Sequence, residues 1–428
     1  MLEMEMEDMD RVAQEAIFSS SSDEEEAGRR SNREGKSPNK SRDFLGAHNK
    51  VVEDYFKGRE SKYDEKDFER RFRCPRTVFN EIHDALMGTD PFVHKKDCTG
   101  KWGVYPLVKL VACFRYIAYG DSFDREDENL QIGESTLQDY CKDFSKLVVE
   151  KFGKQYLNRC PNSAEREAIS SAMAVKGFPG CLASWDCKHF DWKNCPIRLQ
   201  GQHQGHAEGG KTTLILEAIA DHRKYFWYIN FGDAGSLNDL NVLDKSSIVG
   251  AMIGGRFDIS IEEYEINETV RDWMYFLVDG IYPEWAIFVS TFTNKDTPRK
   301  KAFATEQEKV RKDIECAFGI LLQRFHILQR PLRGWYLEDI KNLLQCCAII
   351  HNMVVEARFS LQYDEEEARA AVGHPLFGKA QLTADQVAQE GVDLFAARAA
   401  AFNNAMRSSA LHFDLKADLV EHINSFES

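Results

Sequence analysis

Residues 178–192 read FPGCLASWDCKHFDW, and here the pattern of the chain turns from helix to strand. A Pro-Gly turn leads into a run rich in apolar and aromatic side chains, which predicts a β-strand. Asp186 lies inside it, in Trp185-Asp186-Cys187-Lys188-His189. Aspartate is disfavoured in strands, so it either binds something or marks an edge. Residues 212–220 (TTLILEAIA) and 225–231 (YFWYINF) predict two more strands, joined by Asp221-His222-Arg223-Lys224. Residues 238–249 predict a helix entered through Gly-Ser-Leu-Asn-Asp, with Leu240, Val242, Leu243 and Ile248 as its apolar positions. Residues 274–278 (MYFLV) are continuously apolar and end at Asp279-Gly280, as expected of a strand buried on both faces. Residues 307–326 and 337–359 predict two long helices. Strands, a helix, a buried strand and then helices make an α/β order.

Upstream, residues 51–157 predict an all-helical segment, because Phe68, Phe72, Leu107, Leu110, Val111, Phe114 and Ile117 recur at spacings of three and four. Within it, residues 124–148 predict a helix, a turn at Gly133 and a second helix carrying Leu137, Tyr140, Phe144, Leu147 and Val148. This is the pattern of a helix-turn-helix and equally of any αα-hairpin. The second helix offers Lys142 and Lys146 but also Asp139 and Asp143, a weak basic face for a major groove. The domain organisation expected is a disordered tail over 1–44, a helical, helix-turn-helix-like domain over 45–160, an α/β domain over 175–358 and a helical C-terminal tail over 360–428. The first tail carries an acidic block at 19–26 (SSSSDEEE) and a basic one at 29–42 (RRSNREGKSPNKSR). The basic block reads as a nuclear-import signal or phosphate-binding arm, against the plainer reading of a solvated tail. The last segment is Ala-rich and offers no chemistry.

The 428 residues are 43% hydrophobic and 29% charged, enough for one large or two moderate globular domains. No apolar run approaches a membrane span, and the N-terminal residues have no signal-peptide pattern, so neither a membrane nor secretion is expected. The eleven cysteines are scattered without a C-x-x-C pair, which predicts free thiols in a reducing compartment. The formal net charge of −14 excludes a uniformly basic nucleic-acid binder. Any nucleic-acid contact must come from local patches.

Three carboxylates stand where chemistry would be expected. Asp186 lies in the first strand, Asp279 closes the buried strand and Glu315 lies in the later helix. Side chains at the carboxyl ends of strands converge on the ligand crevice of an α/β sheet. Carboxylates so placed can hold two divalent ions about 3.5–4 Å apart for phosphodiester chemistry. In the helix, Ile314, Phe318, Leu321 and Phe325 form the buried stripe, which puts Glu315 about 100° away, on its flank. Gly319, one turn on, weakens the helix by about 1 kcal/mol relative to Ala and opens room for a strand or ligand. The competing readings are a surface pair between Arg311 and Glu315 and an ordinary Asp-Gly turn at Asp279.

Residues 205–212 (GHAEGGKT) satisfy the phosphate-loop pattern, but that motif needs a buried strand before it and a helix after it. Residues 196–204 (PIRLQGQHQ) are no apolar strand, so an NTPase is rejected. His189 and Lys193 are weak candidates for assisting the site, and Cys346, Cys347 and His351 read as core on an apolar helix.

The blocks SWDCKHFDWKNCP (184–196), GDAGSLNDLNVLDKS (232–246), LVDGIYPEW (277–285) and RKDIECAFGILLQRFHIL (311–328), with FERRFRCPRTVF (68–79) before them and HNMVVE (351–356) after, resemble in order and spacing the PIF/Harbinger-type DDE transposases. The resemblance implies an α/β RNase H-like catalytic domain preceded by the all-helical segment. It implies Asp186, Asp279 and Glu315 as the catalytic acids, and these with Asp239 as ligands of Mg²⁺ or Mn²⁺. An Asp in the first turn of a helix is also simply favoured by the dipole. The resemblance further implies cleavage of double-stranded DNA at terminal inverted repeats and joining to a target site, a separate Myb/SANT-like DNA-binding partner and a nuclear protein, with a cytoplasmic pool and a homo-oligomer left open. Lys211 could touch phosphate, and Lys295, Arg299, Lys300, Lys301, Lys309, Arg311 and Lys312 are candidates for backbone contacts, against the alternative of a solvated helix face. The second functional class is a domesticated, catalytically idle descendant that binds DNA or acts as a scaffold.

Overall fold

The computed structural model describes residues 40–97, 100–205, 210–362 and 400–426. The acidic block and most of the basic block of the N-terminal segment lie outside the described residues, as does 363–399. The chain divides into two units, Met1–Asp43 and Phe44–Ser428, and the elements named here belong to the second.

The helical N-terminal region comprises α1 (Phe44–Val51), α2 (Glu65–Phe72), α3 (Arg76–Leu86), α4 (Pro106–Tyr119), α5 (Asp124–Leu130), α6 (Glu134–Tyr156) and α7 (Ser163–Ala174). Each start has a local cause. Asp64 caps α2 by accepting from Asp67 N at 2.8 Å, Pro106 opens α4, and Asn162 with Glu165 closes a capping box on α7. Gly120 ends α4 in the left-handed region at φ 59°, where a Cβ would come within 2.8 Å of the Ile327 backbone.

The mixed α/β region follows. Strands β1 (Cys181–Asp191), β2 (Thr213–Ala220) and β3 (Phe226–Ala234) form an antiparallel meander, with α8 (Ile197–His203) between the first two. After α9 (Asp239–Lys245), α10 (Ser247–Ile253) and a hairpin of β4 (Ser260–Ile266) and β5 (Thr269–Trp273), the chain returns as β6 (Tyr275–Leu277), parallel to β1. Then β7 (Phe288–Val289) adds in parallel, giving the order β3-β2-β1-β6-β7. The long helices α11 (Pro298–Arg324) and α12 (Leu337–Gln362) and the helix α13 (Ser409–Phe426) complete the layers.

One hydrophobic cluster covers the first face of the sheet. It joins Leu214, Leu216 and Phe226 to Ile314 and Phe318 of α11 and Ile350 and Val354 of α12, and continues into Phe79, Phe114 and Phe144 of the helical region. The other face packs Trp185, Ile219 and Trp227 against Met173, Ile248, Leu415 and Leu419. The second helix of the helix-turn-helix-like pair, α6, buries Leu137, Phe144 and Val148, and its Lys142 reaches Asp339 of α12 at 3.3 Å.

Several elements depart from their sequence reading. The single helix expected over 238–249 breaks at Ser246, whose hydroxyl donates to the buried carboxylate of Glu217 at 2.9 Å. The helix expected from 307 begins at Pro298, behind a Thr297 cap. The hairpin turns at Asn267 and Glu268, with φ of 49° and 65°, and lacks the glycine that usually marks such a turn. The segment beyond 360, left without a role, supplies α13, whose Leu415 and Leu419 are fully buried.

Both sheet edges are closed by side chains from distant parts of the chain. On β3, Asn352 of α12 accepts from Phe226 N at 2.9 Å and donates to Phe226 O at 2.8 Å and Tyr156 O at 2.7 Å, while Asn158 accepts from Ile229 N at 2.9 Å. At β7, His412 Nδ1 meets Phe288 O at 2.9 Å, and Ala286 N donates to Met406 O at 2.8 Å. Replacing Asn352 with Leu would leave the N–H and C=O of Phe226 unpaired and Tyr156 O with only the Tyr225 hydroxyl at 3.4 Å, so Asn352→Leu is expected to lower stability by about 2–4 kcal/mol in urea denaturation. A loss below about 1 kcal/mol would show that these groups find other partners.

Candidate functional site

The site starts from the parallel pairing of β1 with β6. Ser184 stands opposite Leu277, and continuing that register by two residues brings Asp186 level with Asp279, just past the end of β6. Asp186 Oδ1 accepts from Cys187 N at 2.9 Å, and its Oδ2 takes Nη1 of Arg311 at 3.3 Å. Nη2 of the same guanidinium reaches Glu315 Oε1 at 3.0 Å. The pair of Arg311 and Glu315 foreseen as a surface contact is therefore one arm of a bridge, and Arg311 is largely buried, with 16% of its side chain exposed. Asp279 is exposed and accepts from Gly280 N at 2.7 Å. Asp239 is the first residue of α9, behind the Asn238 cap.

Burial and neighbouring charge act on two of the acids. Burial raises the Asp186 carboxyl to about 6, with Asp239 and Glu315 adding to the rise while the Cys187 N–H and Arg311 oppose it. Burial also raises Asp239, with a further push from Asp279 and opposing pulls from His189 and Cys187. Asp186 therefore lies within electrostatic reach of Asp239 and Glu315, and Asp239 within reach of Asp279, so the acids form a chain of neighbours.

Two residues that sequence reasoning missed build this site. Gln307 is fully buried two turns before Glu315, and its Nε2 donates to Val278 O at 3.1 Å and Val289 O at 2.9 Å. It fixes α11 to the ends of β6 and β7, so Gln307, Arg311 and Glu315 follow one another at every fourth residue along the face turned to the sheet. Its signal was a polar residue inside the stripe of Phe303, Val310 and Ile314. Glu217 is the second, a lone acid in the apolar strand TTLILEAIA. It accepts from Trp185 Nε1 at 3.2 Å, Ser246 Oγ at 2.9 Å and Tyr228 OH at 3.4 Å, and burial raises it to about 7. It anchors the junction of α9 and α10 and so steadies Asp239.

The other candidates are spread more widely. His189 is exposed, with Nδ1 2.9 Å from Thr213 Oγ1, and Lys193 lies in the turn after β1, its N–H donating to Leu332 O at 2.9 Å. Lys211 pairs with Asp191 at 3.4 Å, Lys300 with Asp296 at 2.9 Å, Lys295 with Glu308 at 2.7 Å and Lys309 with Glu306 at 3.0 Å. Arg299, Lys301 and Lys312 face solvent. Around the phosphate-loop pattern, a helix precedes and a strand follows, the reverse of what that motif needs. Cys346, Cys347 and His351 are fully buried in the core, and the cysteines among the described residues are free.

Among the described residues, no three His, Cys, Asp or Glu side chains stand close enough to share a metal ion. The donors at the site are carboxylate oxygens, which suit a hard divalent cation, and here Arg311 supplies the counter-charge to two of them.

A family model described as plant transposon protein matches residues 154–362, and a second, of a domain of unknown function, matches residues 48–87. The first match covers all four acids and supports a transposase-related function. No curated protein and no solved structure matches the chain.

The raised Asp186 has a thermodynamic consequence. Below its ordinary value of 3.8 the carboxyl is protonated whether the chain is folded or not; between 3.8 and about 6 the unfolded chain ionises first. Stability is therefore lost as pH rises through that window. Asp186→Asn is expected to leave stability unchanged in acid and to raise it by roughly 1–3 kcal/mol above pH 6. Denaturation at pH 4 and pH 7 checks this, and equal effects at both would refute it.

Proposed function

We propose that the chain is a DNA nuclease and strand-transferase of the PIF/Harbinger DDE transposase type, with an RNase H-like α/β domain as its catalytic core. The observation that carries this reading is a chain of electrostatically coupled carboxylates from four separate elements, β1, the end of β6, the start of α9 and the middle of α11, with Arg311 bridging two of them. The sheet order, a three-strand meander followed by two parallel crossover strands, supports it, as does the match to a plant transposon protein.

In this reading Asp186, Asp279 and Glu315, with Asp239 beside them, provide the oxygen ligands. Mg²⁺ or Mn²⁺ held there would supply activation of the attacking oxygen and stabilisation of the leaving oxygen of a phosphodiester. Gln307 and Glu217 position these acids without touching the substrate. Arg311 neutralises Asp186 and Glu315 across the gap between strand and helix, and so offsets their repulsion. The substrates are double-stranded DNA bearing terminal inverted repeats and a target site, with a Myb/SANT-like protein as partner, self-association as a homo-oligomer and the nucleus as the place of action.

The test is cleavage of repeat-bearing DNA with Mg²⁺ or Mn²⁺ against EDTA. Asp279→Asn and Glu315→Gln, both at exposed positions, are expected to keep the fold by circular dichroism and to lose several kcal/mol of transition-state stabilisation, about 10³-fold or more in rate. Full cleavage by either variant would refute the assignment. Folded wild type that binds DNA and cleaves under no condition would favour the domesticated binder.

A further inference from the structure

Beside Glu315 the surface opens into a groove of about 710 Å³ between α2 and the second half of α11. Its lining carries five cations, Lys66, Arg70, Arg73, Arg324 and Arg358, and a single carboxylate, Glu69. Glu69 pairs with Arg358 and Asp67 with Arg70, which leaves Lys66, Arg73 and Arg324 outside those ion pairs and the groove net positive in a chain whose net charge is −14. Its near end begins at Cys316, the residue after Glu315, and its floor passes Gly319, where a Cβ would meet nothing within 4 Å.

We propose that this groove carries the phosphate backbone of duplex DNA toward the carboxylate site, an inference that rests on the nuclease reading above. A polyanion is what such a charge distribution recognises, because each neutralised phosphate releases condensed counterions. Two of these cations are set into the wall of the groove, and Nη1 of Arg324 donates to His351 O at 3.1 Å. The buried Nε of Arg73 has no hydrogen-bond partner, a rare state for a buried donor. Burial and the neighbouring charge of Arg358 hold Arg324 down at about 10, against weaker opposing pulls from Cys74 and Glu69.

Geometry separates this surface from the basic residues expected at the start of α11. There Lys300 and Lys309 pair with Asp296 and Glu306 within one turn, as Arg70 does with Asp67, whereas the groove also carries Lys66, Arg73 and Arg324 outside such pairs. The groove also needs both parts of the chain. One wall is α2 from the helical region and the other is α11, so packing of the two regions creates the binding surface. This gives the helical region a role in DNA binding that does not require α6 to enter a major groove.

The experiment is the salt dependence of full-length protein binding to a fluorescein-labelled mixed-sequence duplex, in EDTA so that cleavage does not intervene. The triple variant Lys66→Gln, Arg70→Gln, Arg358→Gln alters exposed side chains only. It is expected to bind about 10–100-fold more weakly at low salt, and its log–log salt slope should be shallower by about 2–3, near 0.9 per lost contact. The comparison triple Lys300→Gln, Lys301→Gln, Lys312→Gln should change the slope by less than about 1. Gly319→Glu separates binding from folding, because it favours the helix while placing a carboxylate on the groove floor; weakened binding by this folded variant is expected. Wild type that binds while both groove variants keep its slope and affinity would overturn the groove and leave the nuclease reading standing. Wild type without salt-dependent DNA affinity would instead count against the nuclease reading itself, and the groove would fall with it.

Discussion

The rim of a sheet must give its backbone N–H and C=O groups to something, and here the residues that take them come from distant parts of the chain. Asn352 of α12 takes both groups of Phe226 and also binds Tyr156 O, so one buried carboxamide joins the edge strand β3, the end of α6 and α12. At the opposite edge His412 and the segment around Met406 perform the same task for β7. Gln307 repeats the device between β6 and β7, satisfying the carbonyls of Val278 and Val289. Because these amides have no water to fall back on, the helices that carry them are held in one position. Where α11 lies, and therefore where Arg311 and Glu315 point, follows from that constraint.

Half-burying Asp186 and Asp239 within reach of further acids raises the free energy of the folded state, and the site offsets this in two ways. Arg311 bridges Asp186 and Glu315 from a side chain that is itself mostly buried, a geometry in which a guanidinium fork is effective. Asp279 remains exposed, where solvent screens it. Glu217 works beneath the surface, uniting Trp185, Ser246 and Tyr228 and ending α9 at Ser246, so that the short helix headed by Asp239 is anchored to β2. Loosening any of these supports would allow the acids to separate under their own repulsion.

The segments that could be read from local pattern were the long periodic ones. The strands around 181–191, 213–220 and 226–234 and the helices α11 and α12 follow from apolar runs and from periodicity. The hairpin β4–β5 escaped because Asn267 and Glu268 adopt positive φ without a glycine. The break at Ser246 escaped because nothing local opposes a continuous helix there; its cause is Glu217, 29 residues earlier. The same holds for α13, whose burial depends on a sheet edge more than a hundred residues away in sequence.

The amino-acid sequence by itself determined the α/β order and the rule that any basic surface must be local in an acidic chain, and it nominated Asp186, Asp279, Glu315 and Asp239 as candidate acids. Only the tertiary structure decided which cation stands among those acids, which buried amides hold α11 against the strand ends, and that the positive groove is made by α2 and α11 together. The physical reason is range. Strand and helix periodicity arise from neighbours a few residues apart, whereas charge neutralisation and backbone satisfaction at a sheet rim join groups such as Asp186 and Arg311, 125 residues apart, that only folding brings into contact.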